Sequence, residues 1–227
     1  VREDDAYRRW FPVMRLEELV PRHVAQSELL GQEIALWRAD DGRVNAWENR
    51  CPHRGVRLSI GQNTGADLRC RYHGWRFASG DGRCTHIPAD PSRAPPAAIR
   101  ATVFDVSVQD GFVWVALSRP DQSPPSLADD LPWLTLRSTP VEVGFERVHA
   151  TLLEAAKAVP HDPFTLTADV EQDGAQAQLT FMLQPMASAR TAIHAALTPA
   201  PAPPDRLATL RHYAARLARL RDAAEAP

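Results

Sequence analysis

The feature that most limits what this chain can be is a quartet of cysteine and histidine side chains, two residue types that bind metals. Cys51-Pro52-His53 is followed, after a gap of sixteen residues, by Cys70-Arg71-Tyr72-His73. As a spacing this is C-x-H and then C-x-x-H, two pairs of donors delivered by two loops. Four such ligands satisfy zinc in principle, but structural zinc sites usually separate the ligands of a pair by at least two residues. A C-x-H pair is too tight for both side chains to grip one tetrahedral ion. It suits a two-metal cluster, in which Cys and His of one loop go to different metals. Zinc and a chance scatter of residues remain as the lesser readings.

A Rieske [2Fe-2S] centre is built in this way, with two cysteines on one iron and two histidines on the other. Cys51, His53, Cys70 and His73 are therefore the candidate ligands. Gly55 and Gly74 stand just beyond the histidines, where loop backbone must come close to a cluster and offer N–H groups to its sulfurs. Cys84 lies outside the spacing and reads as a small buried apolar residue. His23 and His86 read as ordinary polar residues. Three cysteines are an odd count, which argues against a disulfide framework.

The 227 residues leave room for two small domains or one large one. A composition of 44% hydrophobic and 24% charged residues belongs to a globular chain. The net charge of −2 offers no bulk basic charge for nucleic acid. Lys157 is the single lysine, so 25 of the 26 basic residues are arginine. No apolar run reaches the roughly 18–20 residues of a membrane helix. The acidic start Val1-Arg2-Glu3-Asp4-Asp5 is unlike a signal peptide. A cytoplasmic protein, with no membrane and no nucleic-acid partner, is the expectation.

Short strands and turns are expected over residues 7–50. Asp41-Gly42 marks a hairpin between Glu33–Arg38 and Val44–Trp47, because Gly accepts positive φ. Residues 51–88, dense in Gly, Cys and His, read as loops held by something other than a core. Gly111-Phe112-Val113-Trp114-Val115 reads as a buried strand. Prolines at 120, 124, 125, 132 and 140 mark a linker over residues 119–140. Beyond it come a helix near 148–158, two strands around Gln172-Asp173-Gly174, a strand near 189–197 and a helix over 205–224. Asp205 is the expected N-cap of that last helix. Leu207, Leu210, Ala214, Leu217 and Leu220 are its expected buried stripe.

From about Trp10 to Leu117 the sequence resembles the Rieske domain of ring-hydroxylating and demethylating oxygenase α-subunits, the vanillate demethylase-like group in particular. The likeness rests on Asn49-Arg50-Cys51-Pro52-His53-Arg54-Gly55, Cys70-Arg71-Tyr72-His73-Gly74-Trp75, Gly82-Arg83-Cys84-Thr85-His86-Ile87-Pro88 and Gly111-Phe112-Val113-Trp114-Val115. It implies an α+β chain: an antiparallel β Rieske domain over 1–118, the linker, and a reduced helix-grip-like α+β domain over 141–227. Respiratory Rieske proteins add a cysteine beside each ligand loop; here Pro52, Arg71, Gly74 and Trp75 fill the loops. A reduction potential at the low end of the Rieske range, roughly −150 to 0 mV, is expected.

In that family the second domain holds a mononuclear iron on a motif resembling Asn-x-x-Asp-x-x-His-x-x-x-x-His. Here the matching positions carry Ala155, Ala158, His161 and Leu166. Leu166 cannot bind iron, and Ala158 cannot supply the carboxylate. Asp222 and Glu225 are weak candidates for a third ligand. Loss of the mononuclear Fe(II) is the expectation. The chain would be an electron-transfer protein or accessory subunit fed by an NAD(P)H-dependent reductase or a ferredoxin. It would act with an oxygenase partner subunit in a homo- or hetero-oligomer, a trimer by resemblance. A redox sensor or structural subunit needs only the cluster and stays open. The alternative is an active oxygenase, hydroxylating or demethylating an aromatic acid, with an altered iron site near His161 that draws on His149, Glu154 or Asp162.

Overall fold

The computed structural model describes residues 6–126, 132–172 and 174–227. Contacts divide the chain into one unit of Val1–Val108 with Val113–Ser123 and a second of Gln109–Phe112 with Pro124–Pro227. Among the described residues no helix is long and apolar enough to cross a membrane.

The first unit is antiparallel β. Strands β2 (Val24–Leu29), β3 (Gln32–Arg38) and β4 (Val44–Glu48) form a three-stranded sheet. The β3–β4 hairpin closes at Asp41-Gly42: Gly42 has φ +89°, and Asp41 Oδ1 accepts the Arg43 N–H at 3.0 Å. Trp37 and Trp47, edge to face at 5.1 Å, are fully buried on this sheet. A second sheet is made of β5 (Gln62–Asn63), β6 (Asp67–Arg69), β7 (Arg76–Ala78) and β8 (Cys84–His86) in that order. Residues expected as loops thus contain a small sheet with Leu68 and Phe77 in its core. Strands of two or three residues carry too few positions to show a period.

β1 (Phe11–Arg15), β9 (Asp105–Gln109) and β10 (Phe112–Ala116) form a third sheet in the order β1–β10–β9. Every residue of β10 is buried, as its apolar run implies.

In the second unit β13 (Val159–Asp162), β14 (Thr165–Gln172), β15 (Ala175–Ala187) and β16 (Arg190–Thr198) run antiparallel. Asp173 of the expected β14–β15 turn lies outside the described residues. Two short strands from the proline-rich stretch, β11 (Leu134–Thr135) and β12 (Thr139–Val141), both pair with β16. Helices α1 (Phe145–Ala155) and α2 (Arg206–Glu225) complete an α+β core with Leu166, Phe181 and Ile193 at its centre.

α2 departs from its expected pattern in two ways. Its buried residues are Thr209, Tyr213, Leu217, Leu220 and Ala224, while Leu207 is 59% exposed. Burying Tyr213 turns the stripe by part of a turn. Asp205 closes the 3-10 turn Pro203–Asp205 with its own backbone already helical, so its side chain caps nothing.

Candidate metal centre

Two loops bring the four candidate ligands together. The first leaves β4 through Asn49, which is fully buried. Asn49 donates its N–H to the Glu33 carbonyl at 3.0 Å, and its Oδ1 accepts the Ser59 N–H at 2.7 Å. The loop's departure and return are thereby tied to one side chain. The second loop is the β6–β7 connection, entered from Arg69 and left at Arg76.

The loops close alike. Cys51 N–H bonds the Val56 carbonyl at 2.8 Å and Gly55 N–H bonds the Cys51 carbonyl at 2.8 Å. Cys70 N–H bonds the Trp75 carbonyl at 2.8 Å and Gly74 N–H bonds the Cys70 carbonyl at 3.0 Å. Gly55 and Gly74 have φ of +69° and +70°, a conformation other residues rarely adopt. The common pattern is Cys-x-x-x-Gly, and only the histidine shifts by one place between the two.

Cys51 and Cys70 are buried in the same core as Trp37, Trp47 and Phe77. The imidazoles lie at the rim, His53 half-buried and His73 exposed. Their Nδ1 atoms face each other at 3.1 Å. Trp75 stacks on His53 and Tyr72 leans on His73 at 3.9 Å.

Burial pushes the Cys51 thiol up to about 11; the backbone N–H of His53 opposes that shift and the neighbouring Cys70 adds to it. The cost of ionising such a thiol is what a bound cation removes. Desolvation, with His73 and Arg54 nearby, lowers the pKa of His53 and favours the neutral ring a metal ligand must present. Two buried sulfurs, two convergent Nδ1 atoms and backbone N–H groups of His53 and Arg54 bonded to the Cys51 sulfur fit the donor set of a diiron–disulfide cluster. Cys84, 7% exposed, belongs to the surrounding core.

The Rieske [2Fe-2S] domain profile matches residues 9–105. These residues are a Rieske [2Fe-2S] domain. The Rieske domain carries a [2Fe-2S] cluster, whose chemistry is one-electron transfer. A 122-residue stretch of the chain is 53% identical to the oxidoreductase NdmD of Pseudomonas putida, covering 54% of this chain and 21% of that protein. A 129-residue stretch is 39% identical to the 4beta-methylsterol monooxygenase of Methylococcus capsulatus, covering 56% and 33%. The chain spans about a fifth to a third of the length of the curated relatives it matches. Among solved structures, Pseudomonas putida CBB5 NdmB superposes with a TM-score of 0.75 at 22% identity, over 96% of this chain and 80% of that one. Dicamba monooxygenase bound to dicamba gives 0.69 at 21% identity, over 85% and 76%. The likeness to NdmB extends well past the Rieske domain and shows a shared fold. A 120-residue stretch is also 32% identical to the oxygenase subunit of phthalate 4,5-dioxygenase of Pseudomonas putida, covering 52% of this chain and 27% of that protein.

In the second unit the residues considered for iron have other neighbours. His161 lies on β13, its Nε2 at 2.7 Å from Thr167 Oγ1. Asp162 Oδ1 accepts the Phe164 N–H at 2.8 Å and so shapes the β13–β14 turn. Leu166, at the place of the second histidine, is fully buried, and Ala158 is 6% exposed. His149 leans on Phe145 within α1, and Glu154 is exposed. Asp222 pairs with Arg221, and Glu225 accepts the Glu142 N–H. Among the described residues no three His, Cys, Asp or Glu side chains converge on a single-ion position.

Sequence reading missed Asn49 as the brace of the first loop. Its signal was present, an Asn directly before the ligand loop, a residue type that bonds nearby backbone.

Proposed function

We propose that this chain is an electron-transfer protein or accessory subunit of an oxygenase system, with Cys51, His53, Cys70 and His73 as the cluster ligands and no mononuclear iron of its own. It takes electrons singly from an NAD(P)H-dependent reductase or a ferredoxin and hands them to an oxygenase partner subunit. A homo- or hetero-oligomer, a trimer by analogy with the family, is the assembly in which that transfer runs between chains. The observation that carries this reading is the disposition of the four ligands: thiols sealed in a core, imidazole edges side by side at the surface. Electrons then have a short exposed route through His53 and His73. The engagement of His161 with Thr167 and the burial of Leu166 support the absence of an iron site in the second unit.

Metal and sulfide analysis with electron paramagnetic resonance of the reduced protein tests it. Two irons and two sulfides per chain, with a Rieske signal, are expected. A third iron with substrate-coupled oxygen uptake by this protein alone, abolished by His161→Ala, would establish an oxygenase instead.

A further inference from the structure

The ligand loops carry a charge imbalance that the cluster itself does not require. From Arg50 to Arg76 the chain has six arginines and one acid, in a protein of net charge −2. Arg50, Arg54, Arg57, Arg69, Arg71 and Arg76 are all exposed. Arg57 pairs with Glu33, but the other five take part in none of the ion pairs among the described residues. Asp67, the single acid, is turned to Thr64 and Thr85.

The placement has a cost in stability. Arg69 and Arg76 are direct register partners across β6 and β7, so two guanidinium groups stand on one face of the sheet. Like charges directly opposite are destabilising, and a carboxylate at either place would relieve them. The next partners outward are Gln62 and His86, which supply no negative charge. Arg69 also lies over the second ligand loop: a Cβ on Gly74 would come within 3.5 Å of its Nε.

We propose that this arginine collar is the docking surface for an acidic electron-carrier protein, which seats its redox centre against the exposed edges of His53 and His73. The proposal rests on the electron-transfer reading above and names the chemistry of its partner. Long-range attraction of opposite charges raises the encounter rate and orients the pair before contact, which suits a carrier that must bind briefly and leave. Such redox encounters use small, polar interfaces. A long polyanion would meet the protein's overall negative charge, so a protein with a local acidic rim fits better.

The test is the second-order rate of electron transfer from a reduced, acidic plant-type [2Fe-2S] ferredoxin to the oxidised holoprotein, followed by stopped flow over a range of salt. Arg54→Glu with Arg71→Glu reverses charge in the loops, and Arg50→Glu with Arg76→Glu does so beside them. Arg211→Glu with Arg219→Glu, on the exposed side of α2, makes the same change in net charge elsewhere. At low salt either collar pair should slow the reaction roughly tenfold or more while the α2 pair stays within about twofold, and the wild-type rate should fall as salt rises. Equal effects from collar and α2 pairs, or a wild-type rate indifferent to salt, overturn the proposal. So does single-stranded DNA binding that the collar pairs abolish while the ferredoxin rate is unchanged. If loop reversal prevents cluster loading, the Arg50/Arg76 pair decides. Colourless wild-type protein would overturn the cluster reading itself, whereas a normal Rieske spectrum with unchanged rates overturns the docking alone.

Discussion

The indole of Trp75 lies flat on the imidazole of His53, with ring centroids 4.2 Å apart and planes 6° from parallel. The two residues come from different loops, so the stack ties one loop to the other through the face of the imidazole. Replacing Trp75 with Ala removes that tie and part of a core contact. The first unit should lose about 2 kcal/mol, less than a fully buried Trp because Trp75 is only half-buried. Thermal unfolding checks the cost, and a broadened resonance spectrum of the reduced cluster checks the loosened ring.

Ligands and core cysteine should separate cleanly. Cys51→Ser, Cys70→Ser, His53→Ala and His73→Ala should each abolish the Rieske signal. Cys84→Ser should keep it and cost about 1–3 kcal/mol, because a hydroxyl replaces a thiol in a buried place. Visible absorption and iron content, set beside denaturant unfolding, distinguish the two outcomes.

Burial pushes the Cys84 thiol above its ordinary value near 9.0. The unfolded chain therefore releases this proton first. The contribution to stability is present in full below about 9 and declines as pH rises toward the folded-state value. Cys84→Ala should flatten the alkaline decline in melting temperature without altering its neutral value by the same amount.

Leu166→His restores a histidine at the place where family members carry an iron ligand, but the site around it is apolar. Leu166 is fully exposure-free in a core with Phe181 as its cross-strand partner. The substitution should destabilise the second unit by about 3 kcal/mol or more and leave iron content unchanged. Calorimetry and metal analysis on the same sample test both halves of the statement.

The reduction potential should lie in the lower part of the Rieske range, between roughly −150 and 0 mV. Neither ligand loop has the added cysteine of the respiratory proteins or a serine or threonine, Pro52, Arg71, Gly74 and Trp75 stand there, and the one hydroxyl residue, Tyr72, lays its ring against His73. Protein-film voltammetry gives the value directly.

Local chemistry was readable from sequence, and geometry made at a distance was not. Asp41-Gly42 announces its hairpin because the constraint is a single backbone angle. The Cys/His spacing announces the Rieske domain because that pattern is written in nearby residues. The strands β5–β8 are too short to show a period. The face of α2 depends on which sheet it meets, so Tyr213 is buried and Leu207 is not. Arg69 and Arg76 are seven residues apart in sequence. Only strand register makes them neighbours.

Each ligand loop satisfies its own backbone within six residues, from Cys51 to Val56 and from Cys70 to Trp75. The two histidines are therefore carried on closed turns of the same length. A deletion or insertion inside either turn would break its clasp and move that imidazole away from its neighbour.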